Sequence, residues 1–91
     1  MNKRILPSLF LAILSSQVFG YEEEDLDKFL RTNQCVNCDL ALAELTGRDL
    51  SKASLREADL FGVKLSRANL NEAELVEVNL IEADLSQTNL R

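Results

Sequence analysis

The sequence predicts an all-β solenoid, a square coil of about three turns closed at its start by a short helical cap. Three observations carry that reading. Leucine recurs at every fifth position from Leu40 to Leu90. The residue two before each leucine is small or apolar in most steps, from Cys38 and Ala43 to Val78 and Ala83. The residue directly before is usually Asp, Asn or Glu. A repeat this regular outranks local propensity.

The elements follow in chain order. Residues 1–20 read as a secretory signal peptide: Asn2, Lys3 and Arg4 form a basic start, and Ile5 to Leu14 is apolar apart from Pro7 and Ser8. Val18-Phe19-Gly20 then supplies residues suited to a cut, so the mature chain is expected to begin near Tyr21. The apolar run falls short of the ~20 residues of a spanning helix. No stable membrane anchor is therefore expected after cleavage, and no cysteine stands near the cut for lipid attachment.

Residues 21–34 are expected to form the cap. Glu22, Glu23, Glu24 and Asp25 precede Leu26, Phe29 and Leu30, which recur at helical spacing. Acids at the start and Arg31 at the end suit a helix dipole. A helix of two to three turns does not stand alone in water, so the Leu26/Phe29/Leu30 stripe should dock on a neighbour.

Residues 35–91 are the repeat. Five helical steps of ~100° would scatter the leucines around the cylinder. Along a straight strand an odd step flips faces. A chain that turns one corner per repeat instead aims each leucine, and the small residue two before it, at a common axis. Four corners close a coil of twenty residues, and coils stack at ~4.8 Å. The predicted centre columns are Cys35/Leu55/Leu75, Leu40/Leu60/Leu80, Leu45/Leu65/Leu85 and Leu50/Leu70/Leu90. The narrower inward columns are Asn33/Ala53/Ala73, Cys38/Ala58/Val78, Ala43/Val63/Ala83 and Arg48/Ala68/Thr88. Arg48 breaks the pattern, because an unpaired charge on the axis is costly; its side chain is expected to tilt toward the acidic cap.

The pattern in Ala58-Asp59-Leu60, Ala68-Asn69-Leu70 and Ala83-Asp84-Leu85 resembles the pentapeptide-repeat family, strongly over residues 38–91 and weakly back to about residue 30. The resemblance implies a right-handed quadrilateral β-helix. It implies little about activity, since family members range from DNA-mimicking proteins that protect gyrase to exported proteins of no known activity. Leu30-x-Thr32-x-x-Cys35-x-x-Cys38-x-Leu40 is similar to the family's usual lead-in, which favours a structural role for the cysteines.

Composition excludes several function classes. Beyond the two basic residues of the first twenty, eight Lys and Arg face fifteen Asp and Glu, a net −7. That disfavours nucleic acid as a partner, which needs clustered cations. There is no histidine, no glycine-rich phosphate loop and no nucleophile elbow, so no catalytic residue and no cofactor site is expected. Cys35 and Cys38 have the spacing of redox and zinc motifs, but no further cysteine exists to complete a metal site. Both sulfurs fall on inward positions of the repeat. Buried thiols, a disulfide and a redox pair are the states open to this structural cysteine pair.

Two function classes remain, with thiol redox a third that needs an exposed sulfur. One is a non-enzymatic, exported structural or protein-interaction module, periplasmic or secreted. The other is a DNA mimic acting on gyrase. Mimicry needs a long acidic rod, whereas three coils reach only ~14 Å, and the column Glu44/Lys64/Asp84 alternates in sign. The position after each leucine faces outward and is mostly polar: Thr46, Ser51, Arg56, Ser66, Asn71 and Ser86. Ala41, Phe61 and Ile81 depart from this in one column, with Val76 a corner away. Phe61, Val76 and Ile81 are the candidate interaction surface, for an unknown protein partner or for a second copy in a homodimer. The last coil, ending at Arg91, is expected to offer an open edge to the same partner.

Overall fold

The structure is a computed structural model that describes residues 20–91; the expected signal peptide lies outside the described residues apart from Gly20. Among the described residues one helix, α1 (Glu23–Thr32), precedes the repeat. From Gln34 onward the backbone returns alongside itself every twenty residues. Parallel bridges join Gln34 to Ser54 and Ser54 to Glu74, Asp39 to Asp59 and Asp59 to Asn79, Glu44 to Lys64 and Lys64 to Asp84, and Asp49 to Asn69 and Asn69 to Asn89. These are four faces, each three layers deep, in the columns the sequence predicts.

Among the described residues each face contributes one bridged residue between turns, and no run of bridged residues forms a continuous strand. The repeat explains this. Three residues after most centres the chain closes a turn, as where the Ala43 N–H donates to the Leu40 carbonyl (3.1 Å) and the Val63 N–H to Leu60 (3.1 Å). The residue two after the centre has a φ near +60° at Asn37, Leu42, Lys52, Glu57, Arg67 and onward. A left-handed residue at the third turn position is the type II signature. Little backbone is left over to extend.

Backbone pairing between layers is nonetheless dense. On the second face the Asp59 N–H donates to the Cys38 carbonyl (2.8 Å), the Leu40 N–H to the Asp59 carbonyl (2.9 Å), and the Leu42 N–H to the Phe61 carbonyl (2.8 Å). The same bonds recur on the other faces. Polar backbone is thereby satisfied without water, which lets the apolar side chains close over the axis.

Leu40, Leu45, Leu50, Leu55, Leu60, Leu65 and Leu70 are buried together with Ala43, Ala53, Ala58, Val63 and Ala68. In the third layer Leu75, Leu80 and Leu85 are half-buried against this core. Arg48 is a correction to the predicted inward column: it is exposed, so its charge stays in water. Of the other polar residues in the narrow columns, Asn33 caps α1 with φ 65°, and its Nδ2 donates to the Ser51 carbonyl (2.8 Å). The Thr88 hydroxyl donates to the Leu65 carbonyl (2.8 Å).

Helix α1 seals the first layer. Phe29 is 1% exposed and joins the core, with Leu26 half-buried beside it. Leu30, expected in the same stripe, is 41% exposed: its step of ~100° past Phe29 swings it off the docked face. Two polar contacts complete the seal. The Glu22 N–H donates to the Asp39 carbonyl (3.1 Å), and the Asp39 N–H donates to Asp25 Oδ2 (2.8 Å). In the next layer the equivalent N–H, that of Asp59, finds a backbone carbonyl instead. The Asp25 carboxylate therefore stands in for a missing layer.

Candidate functional site

The two cysteines form a disulfide across the first corner, with Cα atoms 5.3 Å apart. Cys35 is 0% and Cys38 5% exposed, under α1, with Cys35 Sγ 3.4 Å from the Asp25 carbonyl oxygen. Of the states the sequence left open this is the oxidised, structural one. No sulfur is presented to solvent, which removes the basis of the thiol-redox reading.

The outward acids and amides are mostly parts of the scaffold. Side-chain oxygens of Asp39, Asp49, Asp59, Asn69, Asn79, Asp84 and Asn89 each accept the N–H two residues on, as in Asp59 Oδ1 to Phe61 (3.1 Å) and Asn79 Oδ1 to Ile81 (3.0 Å). These are Asx turns, which hold each corner open for the next face. The same groups link layers: Asn69 Nδ2 donates to Asp49 Oδ1 (3.2 Å), Asn89 Nδ2 to Asn69 Oδ1 (3.3 Å), and Asn79 Nδ2 to Asp59 Oδ1 (3.1 Å). The fourth face is thus an amide ladder rather than an acidic one.

Two of these carboxyls are held below the usual carboxylate range. For Asp49 the cause is the Ser51 hydroxyl and N–H, with Asn69 adding a smaller contribution; for Asp84 it is the Ser86 hydroxyl and N–H, with the Lys64 charge adding to them. A pKa depressed in the folded state gives stability that is present above the unfolded value and lost as pH falls through the folded one. Thermal stability should accordingly drop below about pH 4. Asp49→Asn should keep the turn, as Asn69 and Asn79 do, and flatten part of that acid limb in melts taken across pH. An unchanged limb would show that these bonds do not favour the charged form.

The apolar surface lies where the third turn layer meets solvent. Val76 is 52% and Ile81 64% exposed, while Phe61 and Ala41 are half-buried. Phe61 is thus less exposed than its outward position predicts. Sequence reasoning missed two neighbours. Val36 heads the Val76 column with Arg56 between them, and it is exposed. Leu42 occupies a left-handed turn position that is polar or glycine in every other repeat, and it too is exposed. Its side chain lies over Gly62, where an added Cβ would meet Leu42 Cδ2 at 2.6 Å, and against Gly20, whose Cβ would meet Cδ1 at 2.7 Å. The signal was available: Leu42 and Gly62 are twenty residues apart, so the large residue stacks on the one with no side chain. Together Leu42, Phe61 and Ile81 make an apolar ridge down one corner. The opposite corner carries Ser51, Asn71 and Arg91 in the corresponding positions, and the corner adjoining the ridge carries Thr46, Ser66 and Ser86.

A search of curated proteins finds no match to the chain. The family model described as Pentapeptide repeats matches eight copies, over residues 38–75 and 58–91, which is more than half of the chain. The leucine columns and the twenty-residue return of the backbone described above are the physical content of that match. The chain belongs to the pentapeptide-repeat family, whose members are generally non-enzymatic repeat proteins.

Proposed function

We propose that this protein is an exported, non-enzymatic interaction module, and that its twenty-residue coil is the right-handed quadrilateral β-helix of the family. The observation that carries the interaction role is the ridge of Leu42, Phe61 and Ile81, with Val76 beside it; Leu30, Val36 and Leu90 are the other large apolar residues exposed among the described residues. An apolar strip on a small monomer is a surface made to be covered. Export rests on the basic start, apolar run and Gly20 of the first twenty residues. It agrees with a disulfide, which persists in oxidising compartments. No observation favours DNA mimicry: Lys64 interrupts one acidic column, and amides occupy another.

The test is made on the exported product itself. Recovered from the periplasm or medium, it should begin near Tyr21, and as bait it should hold a partner that Ile81→Lys loses. An intact Met1 in the cytoplasm contradicts export. Equal capture by wild type and Ile81→Lys contradicts the interaction role of the ridge.

A further inference from the structure

We infer that the partner of the ridge is a second copy of this chain, docked antiparallel with the second layer of one copy against the third layer of the other. The inference rests on the interaction reading above and names its occupant. Consider a two-fold axis lying in the interface between those layers. It places every column of one copy on the same column of the other, run backwards. Phe61 then meets Ile81 of the second copy, and Ile81 meets its Phe61. On the adjoining face Lys64 meets Asp84 of the second copy, and Asp84 meets its Lys64. Within one chain Lys64 and Asp84 are bridged neighbours in successive layers, and Phe61 and Ile81 share the neighbouring column twenty residues apart. One apolar pair and one opposite-charge pair are therefore each made twice, side by side.

The other corner excludes itself. The same operation about the Val76 corner sets Glu57 on Glu77 of the second copy, both exposed, so like charges face each other. The charge register thus selects the Phe61/Ile81 side, and it selects this offset. Sliding by one layer, so that the axis passes through Lys64, would bring Glu44 onto Asp84 of the second copy. Electrostatic complementarity of this kind fixes register and suppresses wrong partners more than it adds affinity.

The experiment is sedimentation of the chain and of two charge variants, each checked for an unchanged fold by its melting curve and far-UV circular dichroism. Wild type should self-associate, and more weakly at high salt. Lys64→Asp places aspartate on Asp84 of the second copy, and Asp84→Lys places lysine on Lys64, so each alone should dimerise roughly tenfold more weakly or worse. Mixing the two variants restores both pairs and should recover a heterodimer. Ile81→Lys should abolish association without such rescue. A monomeric wild type overturns the inference, as do folded single variants that dimerise like wild type or a mixture that fails to recover. If wild type is monomeric while capture of a foreign protein still depends on Ile81, the second-copy inference falls and the interaction reading stands. If Ile81→Lys alters neither, the interaction reading falls.

Discussion

Leu65→Ala is expected to lower the stability of the coil by ~2–5 kcal/mol, and Leu60→Ala by a similar amount. Both leucines lie in the middle layer, where Leu40 and Leu45 stand above them and Leu80 and Leu85 below, and both are 1% exposed. Truncation removes the transfer free energy of three carbons and leaves a void that the neighbours cannot fill. Backbone hydrogen bonds fix the layers on either side, as in Leu60 N–H to the Asn79 carbonyl and Leu65 N–H to the Asp84 carbonyl, so collapse into the void would break them. A stiff site relaxes least, which argues for the upper part of the range. Glu57→Ala is the control, exposed at a left-handed turn residue; its effect should stay within about half a kcal/mol. Chemical denaturation of the three variants measures this. Equal losses would mean that the leucines do not point inward.

The second large effect belongs to α1. Phe29→Ala should cost ~3–5 kcal/mol, because Phe29 is the one fully buried side chain of the helix and closes the axis above the first layer. A ten-residue helix has no independent stability to fall back on, and Glu22 supplies no side-chain cap. Loss of Phe29 should therefore release the whole of α1. Asp25→Ala should act at the same seam by stranding the Asp39 N–H, at about 1–3 kcal/mol, and Asp25→Asn should recover part of that. Amide hydrogen exchange separates the two levels. In Phe29→Ala the amides of α1 should lose protection while those of Leu60 and Leu65 keep theirs. Uniform loss everywhere would show that cap and coil are one cooperative unit.

The sequence made the leucine columns readable because a period of five has a single geometric solution with one apolar side. The twenty-residue stacking rule by itself sets Cys35 above Leu55 and Phe61 above Ile81. What it did not reveal has local causes. Arg48 follows the period in sequence and departs from it in space, since water solvates a guanidinium better than the axis can. Leu30 has the right spacing for the docked stripe but lies at its edge. The disulfide could not be told from two packed thiols, because both occupy the same inward positions. The Asx turns were visible only as acidic residues with no evident task; their role is a hydrogen bond two residues along, which needs the turn to be known first. The ridge is half legible in the sequence: Phe61 and Ile81 stand in the outward column, while Leu42 occupies a position that is polar or glycine in the other repeats and so gives no apolar pattern.

The most direct test of the coil itself is a nuclear Overhauser map of the folded protein. The account predicts backbone contacts between residues twenty apart: Lys64 with both Glu44 and Asp84, and Asp59 with both Asp39 and Asn79. Within residues 20–91, a continuous run of contacts at four-residue spacing should be confined to Glu23–Thr32. A map in which residues 40–90 show an unbroken helical run of contacts at four residues, or in which their bridged residues pair at any spacing other than twenty, would contradict it.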